Sequence, residues 1–212
     1  MIRFLYASQL ALHPELARTM FRDRTAQFIT RLGWDLNADS EGGERDAYDA
    51  MNPLYVILED GAGRHAASMR VMPTLGRTMV NDHFSHLNNG IQIRAPFVWE
   101  CTRFCLAPGN PTESRNRAGL LMLAGQELGL RLGLTRALGV YEAHMARIYR
   151  GIGWEPSQIG AEGEGRGRIC LGIWPFGPDI RDRIAERAGL SPDIVAPWFD
   201  AAFPSGVAAI AA

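Results

Sequence analysis

Three arginines sit where a folded chain seldom leaves a positive charge. Arg24 shares an apolar stripe with Leu16, Met20 and Phe28, and a charge on a buried face is costly unless it is paired. It is either a rim residue whose head reaches water or the partner of an acid or a ligand carboxylate. Arg70 lies inside the strand-like run Ser68-Met69-Arg70-Val71-Met72. It calls for a carboxylate, which Asp46 or Asp49 supplies if the intervening chain folds back. Arg103 belongs to Val98-Trp99-Glu100-Cys101-Thr102-Arg103-Phe104, where alternation puts Glu100 and Thr102 on one face and Trp99, Cys101 and Arg103 on the other. A glutamate between Trp and Cys is partly desolvated. That raises a carboxyl pKa and suits a general base, while a nearby arginine opposes the shift; the competing reading is an ion pair kept for structure. Trp34 fits a pocket wall or the core equally well, and the charge run Glu44-Arg45-Asp46-Ala47-Tyr48-Asp49 has the pattern of a solvated face.

Composition excludes several classes. The chain has 212 residues, 47% of them hydrophobic, and a formal net charge of −1. That is apolar enough for a real core and too balanced for a protein that coats nucleic acid. All 22 basic residues are arginine, which rules out a Schiff-base lysine and the lysine-bearing phosphate loop; arginine-favouring codons account for the bias. No apolar run is long enough for a membrane span, and the first residues lack the pattern of an export signal. Cys101, Cys105 and Cys170 have no metal-ligand spacing and fit reduced thiols in a cytoplasm. The histidines suggest no metal either, and His83 and His86 read as surface residues.

The elements that must position these residues form a mixed α/β pattern in a single domain over 1–212. A helix is expected over 14–31, with Pro14 in its first turn. The polar stretch 33–51 is a long loop, of the kind that is mobile or functional. Strands over 54–58 and 66–72 form a hairpin around Asp60-Gly61-Ala62-Gly63, and 96–106 is a further strand. A helix over 117–132 carries Gly119, Gly125 and Gly129, which cost helix stability and so point to close packing. Strands over 137–141 and 168–174 flank a helix over 144–150. The C-terminal segment 178–212 reads as helix, turn, helix, with Ser191-Pro192 starting the last.

The order and spacing of Arg24, Phe28, Trp34, Asp46, Asp49, Arg70, Phe84, Glu100 and Arg103 resemble those of the acyl-homoserine-lactone synthases, which make bacterial quorum-sensing signals. The local contexts Phe21-Arg22-Asp23-Arg24, Leu32-Gly33-Trp34, Met69-Arg70-Val71-Met72-Pro73-Thr74 and Trp99-Glu100-Cys101-Thr102-Arg103-Phe104 match as well. The similarity extends to about Trp154-Glu155-Pro156. It implies a fold like that of the GNAT N-acyltransferases, a splayed mixed sheet flanked by helices. It also implies acylation of S-adenosylmethionine by an acyl thioester on acyl carrier protein or coenzyme A, then lactonisation with loss of methylthioadenosine. S-adenosylmethionine is then a substrate, and no cofactor or metal is expected.

Under that resemblance Glu100 is the base, directly or through a water. Arg24 and Arg103 hold the substrate carboxylate or the ion pairs around it. Asp46, Asp49 and Arg70 shape the S-adenosylmethionine side, with Phe28, Trp34 and Phe84 as walls. Phe104, Leu121, Met122, Val140, Tyr141, Met145, Ile148, Tyr149 and Trp154 are candidate lining for the acyl chain, with plain core packing the alternative for each, and Glu142, unusual on an apolar wall, either lines it or faces outward. No threonine precedes the helix near Met145, which favours an unsubstituted or 3-hydroxy chain. Arg115, Arg117, Arg147 and Arg150 are candidates for docking an acidic carrier, with the helix N-terminus near Arg115 available to a phosphate. Two other readings remain: a GNAT-type enzyme acting on another amine, which the absence of [RQ]xxGx[GA] after Phe104 disfavours, and a non-catalytic ligand-binding relative.

Overall fold

The computed structural model describes residues 1–206. Its strands are β1 (Ile2–Tyr6), β2 (Leu54–Glu59), β3 (His65–Pro73), β4 (Val98–Leu106), β5 (Arg136–Glu142), β6 (Ser157–Glu162) and β7 (Ile169–Pro175). They form one seven-stranded sheet in the order β1-β2-β3-β4-β5-β7-β6. Every neighbouring pair is antiparallel except β4–β5, which is parallel and pairs only through Val98–Arg136, Trp99–Ala137 and Glu100–Leu138. Beyond Glu100 these two strands diverge and leave a cleft in the sheet.

Helices cover both faces: α1 (Pro14–Arg24), α2 (Met79–His83), α3 (Pro111–Arg131), α4 (Met145–Ile152), α5 (Pro178–Ala188) and α6 (Ala196–Ala202). The period-2 geometry of β2 explains why it can be buried throughout. Val56 points into the large core with Leu121 and Leu123 of α3, whereas Tyr55 and Ile57 meet Leu16, Met20 and Phe21 of α1. The α3 glycines serve close packing as expected: a Cβ on Gly129 would lie 2.1 Å from the Phe176 ring, and one on Gly119 would lie 2.8 Å from Ala188 Cβ.

The expected helix over 14–31 is continuous but changes character, because α1 passes into a π-helix over Thr25–Arg31. Helix α3 begins ahead of the expected 117. Asn110 caps it by accepting the Glu113 N–H at 2.9 Å, and Pro111 occupies the first turn. The last helix starts at Ala196 instead of Ser191-Pro192, since residues 191–195 are taken up by turns; of the expected segment 178–212, residues 207–212 lie outside the described residues. Strands β1 and β6 and helix α2 are additional to the expected elements. β6 is an edge strand with mostly exposed or half-buried positions, so it lacks the apolar alternation that marks a strand. Among the described residues, no helix is long and apolar enough to cross a membrane.

Candidate active site

The polar heart of the site is a six-membered ion cluster. Helix α1 turns Arg24 inward, where it is 1% exposed. The chain after the π-helix folds back through the isolated pairing of Ala38 with Glu44, which delivers three acids to three arginines. Arg24 donates to Glu44 at 2.6 Å and to both oxygens of Asp49 at 2.9 and 3.0 Å. Arg70, reaching in from β3, bonds Asp49 at 2.8 Å and Asp46 at 2.9 Å and gives its Nε–H to Thr102 Oγ1 at 3.0 Å. Arg103 meets Glu44 and Asp46, each at 2.9 Å. Tyr55 donates its hydroxyl to Asp49. Burial alone would raise the Asp49 carboxyl, but the charges and hydrogen bonds of Arg24 and Arg70 outweigh it and hold that carboxyl well below the usual range.

Arg103 reaches this cluster because β4 breaks its own alternation. Ser68 and Arg70 on β3 pair with Cys105 and Thr102 on β4, so β4 carries one extra residue. Arg103 takes up the bulge with a φ of 52°, a left-handed backbone that non-glycine residues seldom adopt. The expectation that Arg103 shares a face with Trp99 and Cys101 is therefore corrected: the bulge turns it toward the partners of Arg70. The solvated reading of Glu44–Asp49 is corrected too. Glu44 is 1% exposed and serves two arginines.

A cavity of about 1220 Å³ opens where β4 and β5 diverge. Phe28, Trp34, Asp46, Phe84 and Arg103 line it from the first half of the chain. Phe104, Met122, Val140, Tyr141, Met145, Ile148, Tyr149 and Trp154 line the rest. Tyr141, Tyr149 and Trp174 pack edge to face with centroids 5.3–5.7 Å apart and form an aromatic patch. Leu121 is core and not wall, with no exposure. Of the two placements open to Glu142, the structure has it line the cavity, where it accepts the Trp34 Nε1–H at 3.0 Å.

Four expected site residues stand one layer behind the wall. Arg24, Asp49 and Arg70 are held inside the ion cluster, so Arg24 does not reach the cavity surface as a substrate-binding residue would. Glu100 is 1% exposed, and its carboxylate accepts the backbone N–H groups of Met79 at 3.0 Å and Val80 at 2.6 Å. Burial pushes its pKa up, against those two hydrogen bonds and the charge of Arg70.

The four surface arginines differ. Arg115 lines the cavity and is exposed, and Arg147 is exposed on α4. Arg117 turns back to Ala107 and Glu113, and Arg150 pairs with Glu155 at 2.7 Å. The first turn of α3 is already served by the Asn110 side chain. Among the described residues there is no group of three His, Cys, Asp or Glu side chains able to hold a metal.

Glu44, Tyr48, Tyr55, His83 and Cys101 also border the site, though no sequence pattern marks them as site residues. Three buried arginines do require a third acid beside Asp46 and Asp49, and that was the available signal for Glu44. His83 is exposed, as expected, and also lines the cavity.

The family model for the autoinducer synthases matches residues 8–179. An acyl-homoserine-lactone synthase of Rhizobium etli is 36% identical, with 84% of this chain and 86% of that protein covered. The solved structure of MesI, described as a CoA-dependent acyl-homoserine lactone synthase, superposes with a TM-score of 0.79 at 25% identity over 90% of this chain and 96% of that one. An N-acetyltransferase structure from Lactobacillus plantarum shares the fold, with a TM-score of 0.56 at 16% identity over 83% of this chain and 99% of that one. The splayed sheet thus has the N-acyltransferase fold. Within that fold class, the chain belongs to the autoinducer synthase family.

Proposed function

We propose that the chain makes an N-acyl-L-homoserine lactone from S-adenosylmethionine and an acyl thioester, and that the cavity between β4 and β5 holds both substrates. The observation that carries this reading is one cavity whose wall changes character: Asp46 and Arg103 of the ion cluster on one side, and the apolar and aromatic wall of Tyr141, Tyr149 and Trp174 on the other. The amine attacks the thioester carbonyl, forming a C–N bond and expelling the thiol. A carboxylate oxygen then attacks the γ-carbon, closing the lactone and releasing methylthioadenosine.

The first step needs a neutral amine. Glu100, with its raised pKa, takes the ammonium proton through a water, because its carboxylate lies behind the wall. Arg103 is the arginine of the cluster on the cavity surface, so it orients the substrate carboxylate, while Arg24, Arg70, Asp46 and Asp49 hold it in place. Phe28, Trp34 and Phe84 wall the S-adenosylmethionine side. The acyl chain lies against Phe104, Val140, Tyr141, Met145 and Ile148. S-adenosylmethionine is consumed as a substrate, and no cofactor is required.

The donor is carried by acyl carrier protein or coenzyme A, and Arg115 and Arg147 are the exposed arginines free to meet its acidic or phosphate groups. Both substrates and three unbridged cysteines suit the cytoplasm. Glu44, Asp46 and Asp49 anchor the loop 33–51 in the ion cluster, and closure of that loop over S-adenosylmethionine keeps water from the thioester; equal protease sensitivity with and without S-adenosylmethionine would remove that role. The whole reading is tested by mixing the purified chain with S-adenosylmethionine and a panel of acyl-coenzyme A and acyl-carrier thioesters, following methylthioadenosine and product mass. A lactone from at least one donor is expected, and none from any donor would overturn it.

A further inference from the structure

We propose that Glu142 is a positioning residue for the two-substrate reaction: its carboxylate latches Trp34 across the cavity and holds the indole flat on Phe28. Trp34 follows the π-helix on one side of the cavity, and Glu142 is the last residue of β5 on the other. Their hydrogen bond joins positions 108 residues apart at 3.0 Å. The indole stacks on Phe28 with centroids 5.0 Å apart and planes at 14°, and the Arg103 guanidinium stands 5.5 Å from the Phe28 ring centroid. A continuous line, Arg103 to Phe28 to Trp34 to Glu142, therefore runs from the ion cluster to the rim of β5.

Apart from Trp34, the partner of the carboxylate among the described residues is its near neighbour His144. Glu142 caps no helix: α4 starts at Met145 with no side-chain cap. Its remaining oxygen meets His144 Nδ1 at 3.2 Å, a neighbour on the same turn that fixes the carboxylate's direction. Trp34 is 38% exposed, so neither burial nor its own element immobilises the ring. Stacking sets its plane and the hydrogen bond to Glu142 sets its rotation. An indole released from Glu142 is free to swing off Phe28 and open the thioester to water, so the latch governs S-adenosylmethionine binding and the fate of the acyl group together.

The inference rests on the proposed reaction, and its test separates the two. In E142A the KM for S-adenosylmethionine should rise about tenfold, the worth of a hydrogen bond to a charged group, with little change in the KM for the thioester. More free thiol should be released for each lactone made. E142Q keeps an acceptor oxygen and should restore most of the wild-type behaviour. W34F keeps the stacking ring but loses the indole N–H; it should reproduce E142A, and the double variant should be no worse than either alone. Additive losses, or an E142A enzyme with wild-type KM and thiol-to-lactone ratio, would overturn the latch. A wild-type chain that makes no lactone would sink the proposed reaction instead. The latch is then read without turnover: E142A should increase acrylamide quenching of tryptophan fluorescence, an increase that disappears in the W34F background. Unchanged quenching would reject it.

Discussion

At the scale of single residues, the guanidinium fork decides most of what the site can tolerate. Arg70 uses Nε on Thr102 and its two terminal nitrogens on Asp46 and Asp49. Lysine offers one compact charge without that planar fork. R70K should therefore unfold at a markedly lower temperature, having lost about 3–5 kcal/mol through acids left buried and underpaired, and a thermal melt reads this directly. Glu100 differs, because both its oxygens accept N–H groups from α2. E100Q turns one acceptor into a donor facing a donor, yet removes a charge that burial disfavours. Its fold should survive while single-turnover acylation slows about a hundredfold; acylation at the wild-type rate would remove Glu100 as the base. Cys101 also lines the cavity, but burial pushes its thiol up to about 12. It stays protonated and is a poor nucleophile. Acyl transfer should be direct: intact-mass spectra of the enzyme mixed with thioester alone should show no acyl adduct, and C101A should remain active.

The scale of elements shows where sequence pattern stops being informative. The β2–β3 hairpin, β4, α3 and β7 announce themselves through apolar alternation, turn residues and length, because their burial is decided by side chains whose period can be counted. The bulge in β4 is different. Nothing in Cys101-Thr102-Arg103-Phe104-Cys105 states that the backbone will bend at Arg103, since the bulge arises from pairing with β3, a contact between distant segments. The passage of α1 into a π-helix before Phe28 and Trp34 is equally silent. Glycines are the intermediate case, as their cost in a helix signals close contact without naming the partner. For Gly129 the partner is Phe176. G129A should raise helix propensity yet destabilise the protein by about 1–3 kcal/mol through overpacking, whereas G133A, where the backbone φ of 64° is the constraint and no atom lies within 4 Å, tests strain alone. Denaturant midpoints of the two variants separate the causes.

For the whole molecule, the ion cluster is a staple as well as a site. It gathers α1, the returning loop, β3 and β4 around acids and bases that balance one another. The arginine positions were legible in the sequence because a charge in an apolar pattern demands an explanation. Glu44 has no periodicity of its own to break, and only the count of three arginines against Asp46 and Asp49 points to it. The balance has a consequence for stability against pH. Asp49 carries a carboxyl pKa depressed by Arg24 and Arg70 against its burial, so its contribution is present above its unfolded value near 4 and is lost as pH falls toward the folded one. His65 is buried between Asp23 and Ser68, at 2.7 and 2.9 Å, and burial lowers its pKa despite Asp23. The fold therefore favours neutral imidazole, and stability also declines as pH drops below about 6.5. Glu100 acts in the opposite sense: its raised pKa means that acidification relieves a buried charge. Between about pH 6.5 and 4.5 the His65 and Glu100 effects oppose one another, while below about 4 the Asp49 loss stands largely unopposed. Melting temperature measured across that range should fall gently at first and steeply below about pH 4. D49N should start lower at neutral pH and lose much of the steep limb; a limb as steep as wild type would place the acid sensitivity outside the cluster.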